Sequence, residues 1–217
     1  MQATLYCSFS RDFLSSLTRL TYKVSAKCLE PCRYNSSVQL ILREFRREDF
    51  DTLWRIDQKC FVPGIAYSRV ELATYIRRRG SFTLVAEATP VRAGVLCPEK
   101  TASTEQGVPA GPVKSQILGF VVAETNRRRL GHIISIDVLA EVRRLGVGSR
   151  LLAEGEGRLW AAGCHGVVLE TAVDNLAALA FYKRHGYNVV KTVPRYYSNG
   201  VDALVLTKSL FSQSTGR

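Results

Sequence analysis

The spacing of hydrophobic and polar positions divides the chain into short strands and amphipathic helices. Residues 38–45 alternate between the two types as a half-buried strand does. Apolar residues then recur at helical spacing over 49–60, and again over 67–79. Ser68 is a suitable N-terminal cap for the second of these segments, and Gly80 a suitable end. The pattern therefore predicts one strand followed by two helices.

The same alternation continues to the end of the chain. It predicts further helices over 148–162 and 175–185, and further strands over 82–88, 116–124, 132–138, 167–171, 186–193 and 203–207. A long polar connection rich in Pro and Gly is predicted between them, at 89–115. This order of elements predicts an α/β fold in which helices cover a mixed sheet.

Composition separates one domain from its flanking segments. We expect a domain over 38–211, with the insert at 89–115 on its surface, and a short C-terminal tail over 212–217. Residues 1–37 are basic, Ser-rich and poor in acidic residues. We interpret them as a poorly ordered tail or an over-extended gene start rather than a targeting signal.

Charge and cysteine content limit the classes of protein to which this chain can belong. A net charge of +11 and a pI near 9.6 favour anionic partners such as nucleic acid, ribosomes or a polyphosphate cofactor, although a generally basic surface is the alternative. No apolar run approaches the roughly 20 residues of a membrane span, which argues against an integral membrane protein. The six cysteines lack the spacing of a zinc site, so we expect reduced thiols, no metal and a cytoplasmic location.

The strongest local motif lies where the strand over 132–138 leads into a helix through a basic turn. Arg143, Gly146 and Gly148 form the pattern R-x-x-G-x-G in this turn. Free backbone N–H groups at a helix start, together with glycines that permit close approach, suit a pyrophosphate. A dinucleotide fingerprint would need glycine in place of Leu151, and a P-loop would need lysine before Ser149, so both of those motifs are excluded.

Residues 132–210 resemble the GNAT superfamily of acetyl-CoA-dependent N-acetyltransferases. The resemblance is carried by the R-x-x-G-x-G loop and by a later motif consisting of Asn175, Phe181-Tyr182 and Gly186-Tyr187. Within the superfamily, the chain is most similar to protein N-terminal acetyltransferases of the ribosomal-protein-alanine (RimI) type. That similarity rests on the strand at 131–138, the loop at 58–63 and the stretch Tyr196-Tyr197-x-x-Gly200-x-Asp202-Ala203. The chain departs from the pattern at Val201 and in the 63–65 loop, both on the peptide side.

The resemblance implies a GNAT fold, with a mostly antiparallel sheet whose splayed central strands hold acetyl-CoA. It implies Glu170 as the catalytic base and Tyr182 as the catalytic acid, and Phe61, Tyr196 and Tyr197 as contacts to the acceptor. The cofactor contacts implied are Ile136, Asp137, Val138, Arg143, Arg144, Leu145, Gly146, Val147, Gly148, Ser149 and Asn175. The resemblance implies that Ile136, Asp137 and Val138 contact the cofactor through main-chain groups, and that the Val138 amide faces the thioester oxygen. We interpret His132 as a structural histidine and leave it outside the catalytic set.

The resemblance also indicates the reaction. It implies direct transfer of acetyl from acetyl-CoA to the N-terminal α-amine of a protein, plausibly a ribosomal one. Two alternatives stay open at this point. One is an acetyltransferase for a lysine or a small-molecule amine, because the cofactor half of the fold says little about the acceptor. The other is a non-catalytic CoA-binding module associated with ribosomes or nucleic acid, although no recognisable nucleic-acid motif is present.

Overall fold

A computed structural model describes residues 38–90 and 115–211. The described chain contains seven strands and four α-helices. The strands are β1 (Val38–Glu44), β2 (Ser81–Pro90), β3 (Gln116–Thr125), β4 (Leu130–Val138), β5 (Gly166–Ala172), β6 (Asn188–Val193) and β7 (Ala203–Ser209). The helices are α1 (Phe50–Cys60), α2 (Arg69–Arg77), α3 (Val147–Ala161) and α4 (Leu176–Arg184). The predicted order of elements is therefore confirmed.

The strands form one seven-stranded sheet in the order β1-β2-β3-β4-β5-β7-β6. Every neighbouring pair is antiparallel except β4 and β5, which are parallel. The predicted fold class, a mostly antiparallel mixed sheet flanked by helices, is confirmed. Several boundaries were wrong. β2 continues through Pro90, because residues 88–90 pair with β1, and α2 ends at Arg77 rather than at residue 79. β6 begins at Asn188 rather than at residue 186, and β7 continues to Ser209 rather than to residue 207.

Helix packing against the sheet forms the hydrophobic core. Helix α3 buries Leu151, Leu152 and Leu159, as its apolar spacing predicted. Helix α1 buries Leu53 and Ile56, and it packs against β3 and β4. These contacts hold α1 and the start of α3 against the central strands of the sheet, where the candidate site lies.

Local capping fixes where two of the helices begin. The Ser68 hydroxyl accepts a hydrogen bond from the Glu71 amide, and Glu71 binds back to the Ser68 amide, which is a complete capping box. The Asn175 side chain accepts from the Ala178 amide at 3.1 Å and caps α4. The predicted cap of α2 is confirmed.

The central strands separate halfway along their length. Strand β4 pairs with β5 only from Leu130 to Ile133, whereas β5 continues to pair with β7 as far as Ala172. A β-bulge lies at the same place, because Val122 pairs with Ser135 but the next residue, Ala123, pairs with Ile133. A bulge bends its strand and increases the local twist. Beyond Ile133, β4 therefore follows β3 away from β5, and a gap opens between the two strands.

The predicted tails at 1–37 and 212–217, and most of the insert at 89–115, lie outside the described residues. The division into one domain and two tails thus stays a prediction. Among the residues that are described, no helix is long and apolar enough to cross a bilayer.

A close approach of β3 to β4 provides a test of this geometry. A Cβ on Gly119 would lie 2.4 Å from the Asp137 carbonyl oxygen and 3.2 Å from the Val138 Cα. Both are backbone atoms, so we expect Gly119→Ala to lower the free energy of unfolding in urea by about 1–3 kcal/mol.

The matched control is Gly157→Ala on the exposed face of α3, where an added Cβ meets nothing within 4 Å. Alanine in a helix interior is favoured over glycine, so this variant should gain roughly 0.5–1 kcal/mol. Equal stability of the two variants would contradict the close contact at Gly119.

Candidate active site

The edge of β4 that faces the gap carries unpaired backbone donors. The Leu139 amide donates to the Leu118 carbonyl at 3.0 Å, which makes these two residues a hydrogen-bonded antiparallel pair. The neighbouring pair, Gly119 and Val138, is then of the non-hydrogen-bonded type, whose amides point away from the partner strand. By the same alternation, the N–H groups of Ile136 and Val138 both face the gap.

Asp137 is oriented differently from its two neighbours. It pairs with Phe120, so its amide faces β3 rather than the gap, and its side chain is 1% exposed. The register therefore does not support the main-chain cofactor contact expected from Asp137.

The basic turn after β4 leads into α3 as the sequence predicted. Gly146 is the N-terminal cap of α3 with φ of 86°, a left-handed conformation that suits glycine. Within the described residues no side chain caps this helix start, which suits the binding of an anion by its first amides and its dipole. The exposed Arg143 donates from its Nε to the Val138 carbonyl at 2.9 Å, which joins the turn to the end of β4. Arg144, at φ 67°, is also exposed.

Helix α4 contacts the start of α3. Phe181 lies 3.5 Å from the position of a Cβ on Gly148, and the Ser149 hydroxyl lies 3.0 Å from the Nε2 of His185. Tyr182, the next residue after Phe181, is 6% exposed and packs edge-on against Phe181 and Tyr187. Phe181 thus packs against both the start of α3 and the candidate acid, Tyr182.

A row of ionisable side chains crosses three strands where the gap begins. His132 on β4 lies between Glu124 on β3 and Glu170 on β5. Its Nε2 is 2.7 Å from the Glu170 carboxylate, and its Nδ1 is 3.6 Å from the Glu124 carboxylate. Arg78 also donates to Glu124, at 3.1 Å. Glu170 is the first residue of β5 beyond its pairing with β4, so the row closes the base of the gap.

The row keeps a positive charge beside Glu170. Burial alone would lower the pKa of His132, but its contacts with Glu124 and Glu170 outweigh burial and raise that pKa to about 9. The bond to His132 lowers the pKa of Glu124 against the effect of burial. His132 is therefore an imidazolium at neutral pH. Its two carboxylate partners are compatible with the structural role expected of His132, and they also place it beside the candidate base.

Burial keeps the candidate acid protonated. It raises the pKa of the Tyr182 phenol above the ordinary value of 10, and the charge of Asp137 and the nearby Tyr197 raise it further. A group that must donate a proton has to retain it until the reaction needs it. Tyr182 satisfies that condition across the physiological range.

Two loops lie on the acceptor side of the site. The Ser198 hydroxyl donates to the Gly64 carbonyl at 2.9 Å, and this bond joins the α1–α2 loop (61–68) to the β6–β7 loop (194–202). Asp202 accepts from the Arg195 amide at 2.8 Å, which closes the β6–β7 loop on itself. Each loop carries predicted acceptor contacts, with Phe61 half-buried in the first.

The tyrosine pair of the β6–β7 loop lies close to the candidate base. Tyr196 and Tyr197 pack edge-on with ring centroids 5.0 Å apart, and Tyr196 is half exposed. Burial raises the pKa of both phenols, that of Tyr196 to about 12, and the charge of Glu170 adds to both shifts. Tyr196 and Tyr197 are therefore close enough to Glu170 to be affected by its charge, and Tyr197 is close enough to Tyr182 to affect its pKa.

Sequence reasoning named His132 but not its partners, because these are set by strand register. The pairing of Glu124 with His132 across β3 and β4, and the parallel offset to Glu170, cannot be read from spacing along the chain. No cluster of three or more His, Cys, Asp or Glu with metal-ligand geometry occurs in the described ranges 38–90 and 115–211.

Comparison with known proteins agrees with this geometry. Residues 100–187 match the Acetyltransferase (GNAT) family. An uncharacterized N-acetyltransferase from Methanocaldococcus jannaschii is 37% identical over 97 residues, which are 44% of this chain and 62% of that protein. An N-alpha-acetyltransferase from Sulfurisphaera tokodaii is 38% identical over 110 residues, or 45% and 66% of the two chains. N-alpha-acetyltransferase 30 from Xenopus laevis is 40% identical over 98 residues, or 43% and 36%. The matches thus span between about a third and two thirds of these relatives.

Solved structures share the fold over most of the chain. Ard1 from Thermoplasma volcanium superposes with a TM-score of 0.61 at 22% identity, covering 80% of this chain and 99% of that one. The ribosomal-protein-S18-alanine N-acetyltransferase from Escherichia coli gives 0.59 at 17% identity, covering 82% and 99%. Residues 100–187 are thus similar to GNAT acetyltransferases, and the relatives include proteins named N-alpha-acetyltransferase.

The row at the base of the gap predicts a specific pH dependence of stability. The pKa of His132 is raised from 6.5 to about 9 on folding, so its contribution is fully present below pH 6.5 and is lost as pH rises through 9. We expect His132→Gln, which keeps a donor but carries no charge, to show a smaller fall in melting temperature between pH 7 and pH 10 than the wild type does. Parallel curves for the two proteins would contradict the charged row.

Proposed function

We propose that the protein is an acetyl-CoA-dependent N-acetyltransferase that modifies the α-amino group at a protein N-terminus. The observation that carries the proposal is the gap between β4 and β5. Its edge presents the amides of Ile136 and Val138, its base carries Glu170 bonded to His132, and its mouth adjoins the start of α3. The gap is therefore bordered by backbone donors, a carboxylate and an anion-binding helix start.

The residues around the gap fit the chemical groups of acetyl-CoA. The free amides at the start of α3, together with Arg143 and Arg144, suit the pyrophosphate, and the amides of Ile136 and Val138 suit the amide carbonyls of the pantetheine arm. We assign the cofactor contacts to these residues and to the rest of the turn, which is formed by Leu145, Gly146, Val147, Gly148 and Ser149. Asn175 uses its side-chain oxygen as a helix cap, which leaves its amide group for the arm.

Acetyl-CoA supplies a thioester carbonyl and a thiolate leaving group, and the chain supplies the proton transfers. The Val138 amide faces the side on which negative charge develops during attack and stabilises it as an oxyanion hole does. Glu170 accepts a proton from the acceptor ammonium, directly or through one water. Tyr182 gives a proton to the departing thiolate. The amine attacks the thioester carbonyl directly, so no acyl-enzyme is formed.

The position of Glu170 supports an α-amine as the acceptor. The row has no net charge, because Arg78 and His132 balance Glu124 and Glu170, and the Glu170 carboxylate lies at the base of the gap as a proton acceptor for an incoming ammonium. An α-amino group, with a pKa of about 7.7–8.0, loses its proton to such a base far more easily than lysine at about 10.4.

The kind of acceptor protein is inferred from one structural neighbour and from the net charge of the chain. Among the structural neighbours, the Escherichia coli enzyme is named for ribosomal protein S18 alanine, and the net charge of +11 suits the anionic surface of a ribosome. We therefore propose a ribosomal protein as the acceptor. A lysine or small-amine acceptor is the second candidate, favoured by the departures at Val201 and in the 63–65 loop, which both lie on the acceptor side.

The cofactor assignment predicts a loss of affinity when negative charge is added to the turn. In Gly148→Asp, a carboxylate at the first turn of α3 favours the helix dipole, so the fold is retained, but it repels the pyrophosphate. We expect calorimetry to show at least a tenfold weaker affinity for acetyl-CoA. The matched control is Gly148→Ala, whose Cβ would make ordinary contacts of 3.5–3.6 Å with Phe181 and Val138. Wild-type affinity in the Asp variant would remove the turn from the site.

The acceptor assignment is tested by peptides that differ only in which amine is free. Peptides with a free N-terminus should be acetylated faster than the same peptides blocked at the α-amine but carrying a free lysine, as read by mass spectrometry. Glu170→Gln and Tyr182→Phe should each slow the reaction by about 10²–10⁴-fold. Raising the pH should restore much of the rate of Glu170→Gln, because neutral amine then forms in solution, but less of the rate of Tyr182→Phe.

Two results would count against this proposal. Equal use of both peptide sets would favour the lysine or small-amine alternative. Wild-type rates in both variants would leave Glu170 a structural partner of His132 and Tyr182 a core aromatic residue.

A further inference from the structure

A serine and a histidine meet where α3 begins, and the proposed reaction gives the histidine no role. The Ser149 hydroxyl oxygen and the Nε2 of His185 lie 3.0 Å apart, although the two residues are 36 positions apart in the chain. Both side chains are half-buried. This hydrogen bond joins the end of α4 to the turn that we assign to the pyrophosphate.

Ser149 occupies a position of α3 from which a side chain reaches back to the helix start. Gly146 is the N-terminal cap, so Ser149 is the third residue of the helix. In a capping box, the side chain at this third position bonds to the free backbone at the cap. The Ser149 hydroxyl is therefore placed to bind an anion held by the first amides of α3, and it has one proton to donate to that anion.

His185 is held in place at the C-terminal end of α4. It is the C-terminal cap of the helix, and its amide donates to the Tyr182 carbonyl at 3.0 Å. Its ring packs edge-on against Phe181 with centroids 4.6 Å apart, and Phe181 in turn packs against the start of α3 at Gly148. The imidazole is therefore fixed relative to the start of α3 both by its bond to Ser149 and by its contact with Phe181.

The imidazole of His185 is neutral near pH 7. Burial lowers its pKa below the ordinary value of 6.5, and the charge of Arg184 adds to the shift. The charge of Glu156 opposes the shift, and that of Lys208 adds to it. A neutral imidazole carries one ring proton, on Nε2 or on Nδ1. The direction of the hydrogen bond to Ser149 therefore depends on which nitrogen is protonated.

The number of available protons distinguishes two arrangements when an anion is bound. If Nε2 of His185 carries no proton, it accepts the hydroxyl proton of Ser149, and a phosphate oxygen then faces only the lone pairs of the hydroxyl. If Nε2 is protonated, it donates to the Ser149 oxygen, and the hydroxyl proton is left for the phosphate. A hydroxyl that accepts one hydrogen bond also donates the next one more strongly. Only the second arrangement adds a donor to the turn.

We propose that, when acetyl-CoA is bound, His185 donates from Nε2 to the Ser149 hydroxyl and so directs the hydroxyl proton to the pyrophosphate. His185 is a positioning residue in this arrangement, because it acts on the cofactor through Ser149. The inference rests on the proposed function, since it needs a pyrophosphate at the start of α3. It extends that function by adding to the anion site a residue of α4 that lies outside the R-x-x-G-x-G motif.

Calorimetric affinities for acetyl-CoA test the pair. In Ser149→Ala the donor is removed, and we expect an affinity about tenfold weaker, because a hydrogen bond to a charged group is lost. In His185→Phe a ring remains to pack against Phe181, but the hydroxyl proton is no longer directed, so the affinity should fall about threefold or more. The same change made in the Ser149→Ala protein should have no further effect, because His185 acts only through the hydroxyl.

The matched control is His185→Gln, whose side-chain amide can donate near the position of Nε2. Its affinity should match that of the wild type. The KM for acetyl-CoA should follow the measured affinities, whereas kcat and the KM for an acceptor peptide should not change, because the pantetheine arm separates the pyrophosphate from the reacting thioester. A purely structural role of His185 would lower the melting temperature and affect all of these constants alike.

Nitrogen-15 magnetic resonance of the His185 ring gives a readout that needs neither turnover nor a variant. With saturating acetyl-CoA, Nε2 should have the chemical shift of a protonated nitrogen. An unprotonated Nε2 in the bound protein, or an unchanged or tighter affinity in His185→Phe, would overturn the pair alone, since acetyl-CoA would still bind. The absence of any acetyl-CoA binding to the wild type would overturn the proposed function and this inference together.

Discussion

The separation of β4 from β5 beyond Ile133 is the constraint on which the rest of the site depends. The bulge in β4 coincides with the last β4–β5 pair, so the strand bends at the point where its pairing ends. Strand β5 cannot follow it, because β7 pairs with β5 along its whole length. The amides of Ile136 and Val138 on β4 therefore face a gap instead of pairing with β5.

The gap also explains where charge is placed. Its base is the row formed by Glu124, His132 and Glu170, in which contacts between the groups outweigh the cost of burial. Its mouth is the start of α3, whose free amides favour negative charge. An anion is thus attracted to the mouth, whereas the base holds the Glu170 carboxylate next to His132.

Much of the fold could be predicted because its signals are local. The Ser68 and Asn175 caps, the apolar face of α3 and the glycine at the start of α3 are each determined by residues within a few positions of one another. Resemblance then located Glu170 and Tyr182 within that order of elements. The order of strands follows from these elements once the fold class is known.

What escaped prediction depends on register between distant segments. The bulge that opens the gap shifts a register by one residue, and the bond from His132 to Glu170 joins residues 38 positions apart. Spacing along the chain carries no information about such pairs. The same register corrected the expected role of the Asp137 backbone, since an amide one residue along a strand faces the opposite side.

The central claim, that acetyl-CoA occupies the gap between β4 and β5, is tested most directly by amide hydrogen exchange with and without acetyl-CoA. The account predicts that the cofactor slows exchange at Ile136 and Val138 and at the first amides of α3. It predicts no change at Val189 and Val190 on the exposed outer strand β6. Unchanged exchange along β4 in the presence of saturating acetyl-CoA, or slowing confined to β6, would contradict it.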